Sequence, residues 1–216
     1  MKIFLIRHGE STQNVFTNFE NYPDFNVPLT DKGKDDAKKC GEFLIEYCKE
    51  NKIDLKNAKI LVSPFERTRQ TAKIINTYLN IQAIKEETLL IERQFGLFDN
   101  KTFEEREKYK DAFEFQNWMY EHGGNFYTKF PLGESNFDVY VRAKLFLNLL
   151  LKDVKNDDSI FIVSHGAFLK CVQMAYFNYS PEWFNEEPFM NNCEVRLIER
   201  NYQNDFDKSS IYKIEK

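Results

Sequence analysis

The feature that most constrains this chain is an apolar run near its start that stops abruptly at a glycine. Residues 3–6, Ile-Phe-Leu-Ile, lead directly into Arg7, His8 and Gly9. A short apolar run closed by glycine is typical of a buried strand that ends at a loop. In open α/β sheets, ligands bind in the crevice at the carboxyl ends of the strands. The pattern therefore predicts that Arg7 and His8 stand at such a crevice.

A second junction of the same kind lies far downstream. Residues 160–163, Ile-Phe-Ile-Val, lead into Ser164, His165 and Gly166. The chain has 3 histidines, and two of them stand between an apolar run and a glycine. Packing alone does not readily explain this repetition. The sequence therefore predicts two histidines with a shared role at one edge of a sheet.

The bulk properties are those of one globular unit. The 216 residues can bury a core, and the net charge of -4 argues against a general nucleic-acid binder. No apolar run reaches membrane-spanning length, and the N-terminus lacks the pattern of a secretory signal. The 4 cysteines form no Cys-x-x-Cys pair, which favours core residues in a reducing compartment. We therefore expect a single cytoplasmic domain over residues 1–216, without a membrane or nucleic-acid partner.

Strand patterns alternate with helix patterns along the chain. Strands are predicted at residues 3–6, 59–62, 81–84, 159–163, 194–199 (an edge strand) and 210–214. Helices are predicted at residues 31–50, 64–79, 102–121 (ended by Gly123-Gly124), 135–152 and 167–177, and loops at 10–26, over the crevice, and 178–192. The alternation predicts the α/β class. We expect a three-layer sandwich: a mostly parallel central sheet, helices on both faces, and a helical lid insertion at about residues 96–131 over the carboxyl edge.

Two helix starts carry local signals. Thr30 is predicted to cap the helix over residues 31–50. Ser63, Pro64 and Glu66 fit the next helix start as N-cap, first helical residue and capping-box partner.

Polar residues with related chemistry follow several of the predicted strands. Two more of them follow a comparable apolar run at residues 88–91. They are Arg7, His8, Arg67, Glu92, Arg93 and His165. Guanidinium groups bind multi-oxygen anions through paired charge-assisted hydrogen bonds, which points to phosphate. A neutral imidazole, with an ordinary pKa near ~6.5, is available as a nucleophile and would form a phosphohistidine. Glu92 would protonate the leaving alcohol and then activate water.

Other site types fit less well. A metal site would require more carboxylates near the histidines, and arginines repel cations. The chain has neither a Gly-x-Ser-x-Gly elbow nor a phosphate-binding Gly-x-x-x-x-Gly-Lys loop. Within the predicted site, Glu10 and Glu134 stay open as alternative proton donors, and Arg93 could simply pair with Glu92. The aromatic residues Phe16, Phe19 and Trp118 either wall the pocket or pack in the core or lid.

Several short segments occur in an order that is specific as a set. They are Arg7-His8-Gly9-Glu10-Ser11 with Asn14, residues 28–33, residues 63–72, Glu92-Arg93, Gly133-Glu134-Ser135, and Ser164-His165-Gly166. This set resembles the histidine phosphatase superfamily, also called the phosphoglycerate mutase-like family, over most of the chain. Arg-His-Gly alone is weakly specific, and the shared order of the segments makes the resemblance strong.

The resemblance implies a role for each matching position. By this similarity His8 would be the phosphorylated nucleophile, Arg7, Arg67 and His165 would hold the phosphoryl group, Glu92 would be acid and base, and Asn14, Arg93 and Gly166 would help bind substrate. It implies no metal and no cofactor.

Two branches of the family differ in the insertion after Glu-Arg. Mutases carry an adjacent arginine pair there, whereas residues 109–129 of this chain contain no arginine, and Ala167 stands where mutases usually carry Asn. We therefore favour a metal-independent phosphomonoester hydrolase that acts on small phosphorylated metabolites, similar to the broad-specificity phosphatase branch. A phosphoglycerate mutase primed by 2,3-bisphosphoglycerate is the alternative, and a non-catalytic module that binds phospholigands is a second one. The expected partner is a small phosphorylated substrate or inorganic phosphate, and a homodimer is possible.

Overall fold

The structure is a computed structural model. It describes residues 1–15, 24–99, 101, 103–153, 158–203 and 206–215. Part of the predicted loop over residues 10–26 therefore lies outside the described residues. Phe16 and Phe19 lie in that part. None of the helices in the described part of the chain is both long and apolar enough to cross a membrane.

The described residues form one mixed sheet that is mostly parallel. Its strands are β1 (Lys2–Arg7), β2 (Lys59–Val62), β3 (Ala83–Glu86), β4 (Ser159–Ser164), β5 (Val195–Gln203) and β6 (Phe206–Lys213), in the spatial order β3-β2-β4-β1-β5-β6. Strands β3, β2, β4 and β1 run parallel to one another, β5 pairs antiparallel with β1, and β6 pairs antiparallel with β5. The predicted α/β class and mostly parallel sheet are confirmed.

Helices cover both faces of this sheet. Their bounds are α1 (Thr12–Val15), α2 (Asp31–Glu50), α3 (Glu66–Leu79), α4 (Phe103–Glu107), α5 (Lys110–Tyr127), α6 (Asn136–Asp153), α7 (Gly166–Phe177) and α8 (Pro181–Glu186). Successive strand residues point to opposite faces. Ile3 and Leu5 of β1 accordingly pack in one core cluster with α6 and α7, whereas Phe4 and Ile6 pack in another with α2 and α3. The result is the expected three-layer arrangement.

The predicted element bounds hold best where a local cap and an apolar stripe agree. The helix over residues 31–50 and the strand over 59–62 are confirmed at both ends. The Thr30 side chain accepts a hydrogen bond from Gly33 N at 3.0 Å, as an N-cap should.

The predicted strand after α3 is present, but its bounds are shifted from residues 81–84 to Ala83–Glu86. Ile81 is buried instead beneath α3, and the Asn76 side chain binds both its backbone N (2.8 Å) and its backbone O (3.0 Å). The apolar Ile81 thus belongs to the helix packing, while β3 itself is fully exposed along one edge.

The strand at 194–199 was wrongly predicted as an edge strand. It is part of β5, which lies between β1 and β6 in the sheet. Its polar alternation arises from charged side chains that pair with each other beside the sheet, such as Arg196 with Glu194 at 2.9 Å.

The helical part of the predicted insertion is longer and more broken than the sequence indicates. It consists of α4 and α5, and α5 continues past Gly123-Gly124 to Tyr127. Gly124 has a φ of 73°, which glycine adopts without strain, so it kinks α5 rather than ending it. Residues 88–91, which precede Glu92, form a 3-10 turn over Thr88–Leu90 and not a strand. The predicted loop at 178–192 contains α8, whose N-cap is Ser180.

Candidate active site

The two strand-histidine-glycine junctions meet at the carboxyl edge of the sheet. Strands β1 and β4 are parallel neighbours, and Arg7 is paired in register with Ser164. The next residue on each strand is a histidine, and the ring centroids of His8 and His165 lie 5.2 Å apart at an interplanar angle of 63°. Both rings are buried, with His8 4% exposed and His165 0%.

The His8 ring is fixed by a contact to its own neighbour. Its Nδ1 lies 2.7 Å from the carbonyl oxygen of Gly9. A carbonyl oxygen can only accept a hydrogen bond, so Nδ1 carries the proton and Nε2 keeps its lone pair. The backbone is also held, because His8 N donates to Ser164 O at 3.0 Å.

The glycine after His8 is required by a close approach of two backbones. A methyl group added at Gly9 would lie 2.5 Å from the carbonyl oxygen of Gly33, in the first turn of α2. Gly9 N also donates to the Thr71 hydroxyl at 3.0 Å. The first turn of α2 and the second turn of α3 therefore hold the chain at the point where His8 leaves the sheet.

Burial lowers the pKa of both histidines well below the usual value. Desolvation is the largest cause for each ring, and the charge of Arg67 is the next. Both rings are consequently neutral at neutral pH, which is the state in which an imidazole can act as a nucleophile.

Ser63 holds His165 and does not cap α3 as predicted. Its Oγ lies 2.8 Å from His165 Nε2, and α3 begins at Glu66 behind an N-cap residue, Phe65, that makes no side-chain cap bond. The other ring atom, Nδ1 of His165, is buried and has no hydrogen-bond partner among the described residues. The capping prediction was wrong because a partner 102 residues away competes for the same hydroxyl.

Two arginines stand beside the histidines. Arg67 is 2% exposed; its Nη1 donates to Asp24 O at 2.7 Å and to Asp24 Oδ1 at 3.2 Å. Arg7 donates from Nη1 to Met190 O, while its Nε is buried without a partner among the described residues. Burial is the largest influence on Arg7 and lowers its pKa; the charges of Glu92 and Glu194 oppose this shift, and the Arg67 charge adds a smaller lowering. Two like charges held this close favour the binding of an anion.

Glu92 lies at the N-terminus of α7, directly beyond His165. Its Oε2 accepts a hydrogen bond from Ala167 N at 3.2 Å, and its Oε1 accepts from Phe168 N at 3.2 Å and from Arg93 N at 2.9 Å. Backbone amides at a helix N-terminus are natural partners for a carboxylate. Glu92 thus reaches the site through a turn, not through a strand end as the sequence suggested.

The alternative proton donors are engaged elsewhere. Glu10 binds the Lys32 ammonium at 2.9 Å and the Thr30 hydroxyl at 2.8 Å. Glu134 forms a pair with Arg142, with Nη2 to Oε2 at 2.9 Å.

The three predicted substrate-binding residues occupy different settings. Arg93 is 8% exposed and lines a cavity together with Arg67 and Glu92. Gly166 opens α7, and a methyl group added there would lie 3.6 Å from Arg7 Nε. Asn14 is exposed on α1, and its Oδ1 accepts from Ser11 N at 3.0 Å, so its amide oxygen is used within the turn. Trp118 is 52% exposed on α5 and does not line that cavity.

A supporting segment over residues 190–194 was not predicted from the sequence. Asn192 Nδ2 donates to His8 O at 2.9 Å, and Cys193 N donates to Arg7 O at 3.1 Å. Glu194 anchors this segment, since its Oε2 accepts from Asn191 N at 2.9 Å and its Oε1 pairs with Arg196. The alternating charges of residues 194–199 were the available signal.

Comparison with known proteins finds similar sequences and similar folds. The sequence profile described as histidine phosphatase superfamily (branch 1) matches residues 3–207. The phosphoglycerate mutase-like protein AT74 of Arabidopsis thaliana is 30% identical over 220 residues, which cover 95% of this chain and 66% of that protein. Phosphoserine phosphatase 1 of Hydrogenobacter thermophilus is 31% identical over 176 residues, which cover 81% of this chain and 75% of that protein. A solved structure of a putative alpha-ribazole-5'-P phosphatase from Escherichia coli superimposes with a TM-score of 0.77 at 20% identity, covering 99% of this chain and 96% of that one.

Proposed function

Because the chain belongs to the histidine phosphatase superfamily, we propose that it hydrolyses small phosphate monoesters through a phosphohistidine on His8, without a metal ion. The observation that carries the proposal is the state of the His8 ring. Its Nδ1 is committed to Gly9 O, which leaves Nε2 with a lone pair, and burial keeps the ring neutral. A neutral imidazole beside two guanidinium groups is suited to attack on phosphorus.

The first step transfers the phosphoryl group to the enzyme. The lone pair of His8 Nε2 forms a bond to phosphorus while the ester P–O bond breaks. Glu92, as the acid, gives its proton to the departing alkoxide, and an alcohol leaves. Arg7 and Arg67 bind the equatorial oxygens, where charge is stabilised during transfer.

The second step returns the enzyme to its starting state. Glu92, now a carboxylate, takes a proton from water as the water oxygen attacks phosphorus. The P–N bond to His8 breaks, and inorganic phosphate leaves. His165 supports both steps. We assign the Ser63 hydroxyl as donor to Nε2 of His165, so that Nδ1–H is free to donate to a phosphoryl oxygen.

The test uses p-nitrophenyl phosphate with and without EDTA, and acid-quenched labelling with a radioactive phosphoester. We expect activity that survives chelation and a phosphoenzyme that disappears in His8→Ala. His122→Ala is the matched control, since His122 is exposed on α5 and stacks on Trp118 at 4.4 Å, outside the site. Loss of activity in EDTA, or labelling that persists in His8→Ala, would contradict the proposal. Phosphate binding in calorimetry with no ester hydrolysed would favour a binding module instead.

A mutase is the second candidate, because a curated relative is described as phosphoglycerate mutase-like. It predicts interconversion of 3- and 2-phosphoglycerate that increases when 2,3-bisphosphoglycerate is added. The hydrolase predicts release of inorganic phosphate without such stimulation. The two readouts can be followed in the same reaction mixture.

A further inference from the structure

A second cavity borders the segment that supports Arg7 and His8. Its volume is about 400 Å³, within the range of small-molecule sites. The residues assigned to phosphoryl transfer are all described, and none of them lines this cavity. Its lining comes from residues 36–43 of α2, from residues 191–195 and from residues 213–215 at the end of β6.

The part of the cavity wall that leads into β5 is bonded directly to the catalytic residues. Asn192 Nδ2 donates to His8 O at 2.9 Å, and Cys193 N donates to Arg7 O at 3.1 Å. Arg7 N in turn donates to Glu194 O at 3.3 Å. The same residues therefore line the cavity and hold the end of β1 that carries the nucleophile and an arginine of the phosphoryl site.

Cys193 is the strained residue of this wall. Its φ is 55°, in the left-handed region that a residue with a side chain rarely adopts. Such a conformation persists only where the surrounding contacts hold it. A ligand that packs against the wall adds contacts that favour this conformation, and so links occupation of the cavity to the positions of Arg7 and His8.

Part of the cavity lining is apolar. Cys40, Val195 and Ile214 are buried there, and Phe43 is partly buried and packs against the same core cluster. Burial raises the pKa of Cys193 to about 12, so its thiol is neutral and behaves as a small apolar group. This part of the lining suits an apolar side chain, above all an aromatic one that packs on the Phe43 ring.

The charged part of the lining contains both signs. Asp36 and Lys39 form one pair, with Oδ1 and Nζ 4.0 Å apart, and Lys213 and Glu215 form another at 2.7 Å. The side chains of Lys39 and Glu215 are each 68% exposed, and exposed pairs contribute little to stability, so these groups can change partner. A ligand with one charge is attracted by one sign and repelled by the other, whereas a zwitterion can pair with both.

Two side-chain amides add hydrogen-bond acceptors. Asn191 Nδ2 donates to Glu194 Oε2 at 3.2 Å, and Asn192 Nδ2 donates to His8 O. Among the described residues, no donor is bonded to either amide oxygen. An ammonium group in the cavity can donate to such oxygens as well as to a carboxylate.

We infer that this cavity binds a free apolar α-amino acid and that its binding raises the activity of the phosphoryl site. The carboxylate pairs with Lys39 or Lys213, the ammonium pairs with Asp36 or Glu215, and the side chain covers the apolar lining. At ~30 Å³ for each water-sized group, the cavity has room for roughly a dozen non-hydrogen atoms, which is the size of phenylalanine. The activation rests on the proposed function, whereas the binding does not.

The first experiment is titration calorimetry with L-phenylalanine, phenylpropionate and phenethylamine. The three share the ring, and the second lacks the ammonium while the third lacks the carboxylate. We expect L-phenylalanine to bind about tenfold or more tightly than either, because both of its charges find partners. Equal affinity for all three, or no binding of L-phenylalanine at ~10 mM, would overturn the site.

The second experiment places the ligand in this cavity. The double variant Lys39→Gln with Lys213→Gln should weaken L-phenylalanine about tenfold, because the carboxylate loses its cations, and should not weaken phenethylamine. Lys38→Gln is the matched control, since Lys38 is exposed on α2, pairs with Asp35 at 2.7 Å and does not line the cavity. Basal hydrolysis should stay unchanged in both proteins. Unchanged affinity for L-phenylalanine in the double variant would overturn the assignment.

The third experiment measures the link to the phosphoryl site. Coupling between two bound ligands is reciprocal, so L-phenylalanine and inorganic phosphate should each lower the Kd of the other by the same factor, about fivefold or more. The kcat/KM for p-nitrophenyl phosphate should rise over the same range of L-phenylalanine concentration. Phosphate affinity and kcat/KM that do not change with L-phenylalanine would overturn the regulation.

The two proposals fail in different ways. Hydrolysis of p-nitrophenyl phosphate by a protein that does not bind L-phenylalanine would overturn the amino-acid site while the phosphatase stands. Binding of L-phenylalanine that strengthens phosphate binding, in a protein that hydrolyses no ester, would overturn the proposed function while the site stands.

Discussion

Arginines in two regions of this molecule have opposite surroundings. Arg142 grips Glu134 through two nitrogens and donates from Nη1 to Leu89 O at 2.7 Å, so its charge and its donors are used inside the fold. Arg7 and Arg93 each keep a buried Nε without a partner among the described residues. A guanidinium satisfied by its own chain supports structure, whereas one left short of an anion is available to a ligand.

The sharpest test of this contrast is Arg7→Met, which has the largest expected effect. Loss of a donor aimed at transferring charge should lower kcat by ~10²- to ~10³-fold, as loss of one oxyanion donor does in other enzymes. The melting temperature should change little, because burial, which disfavours the Arg7 charge, outweighs the attraction of that charge to Glu92 and Glu194. Calorimetry and p-nitrophenyl phosphate kinetics on the same preparation measure both. A large fall in melting temperature would show that Arg7, like Arg142, stabilises the fold.

Arg142→Met is the converse variant. It leaves Glu134 without its partner in a setting where the two side chains are 13% and 21% exposed, and it frees the Leu89 and Ile91 carbonyls. Breaking a largely buried pair costs about 3 kcal/mol of unfolding free energy. Urea denaturation checks this value. Exposed ion pairs typically contribute less than ~1 kcal/mol. A cost of that size would show that Arg142 does not stabilise the fold more than an exposed arginine does.

The neutral histidines make stability depend on pH. The pKa of each ring is lowered in the folded state, so below the ordinary histidine pKa of ~6.5 the unfolded chain binds protons that the folded chain does not. Stability should be fully present above that value and fall as the pH drops below it, by up to ~1.4 kcal/mol per pH unit for each ring. Thermal melts from pH 7.5 to 5.5 measure the slope. His165→Gln should reduce it, and an equal slope in that variant would contradict the assignment.

Ser63→Ala has the smallest expected effect. It removes the hydroxyl that fixes the His165 ring while His8 and both arginines stay in place. The loss of one orienting hydrogen bond corresponds to about 1 kcal/mol, so kcat should fall roughly five- to tenfold. If Ser63 served only as a helix cap, the variant would lose stability and keep its kcat.

The sequence predicts this molecule well wherever the signal is local. The apolar runs into Arg7-His8 and into His165 reveal both parallel strands and the edge where their ends meet, because strand direction fixes which ends coincide. Thr30 is recognisable as a cap, since its partner Gly33 is only three residues away.

The sequence does not predict contacts between residues that are far apart in the chain. Ser63 has the local pattern of a cap, yet its hydroxyl lies against His165, and no periodicity records such a pair. The contact of Asn192 with His8 O, at a separation of 184 residues, is hidden in the same way. Lys101 and Arg106 likewise line a cavity together with Arg67, and no local pattern records that proximity.

The most direct test of the whole account is the position of the phosphoryl group in an enzyme quenched during turnover. Phosphorus NMR of the denatured phosphoenzyme, followed by peptide mapping, distinguishes the two ring nitrogens and the residue. We expect phosphate on Nε2 of His8, because Nδ1 is held by Gly9 O. Phosphate on Nδ1 or on another residue, or steady hydrolysis with no covalent intermediate, would contradict it.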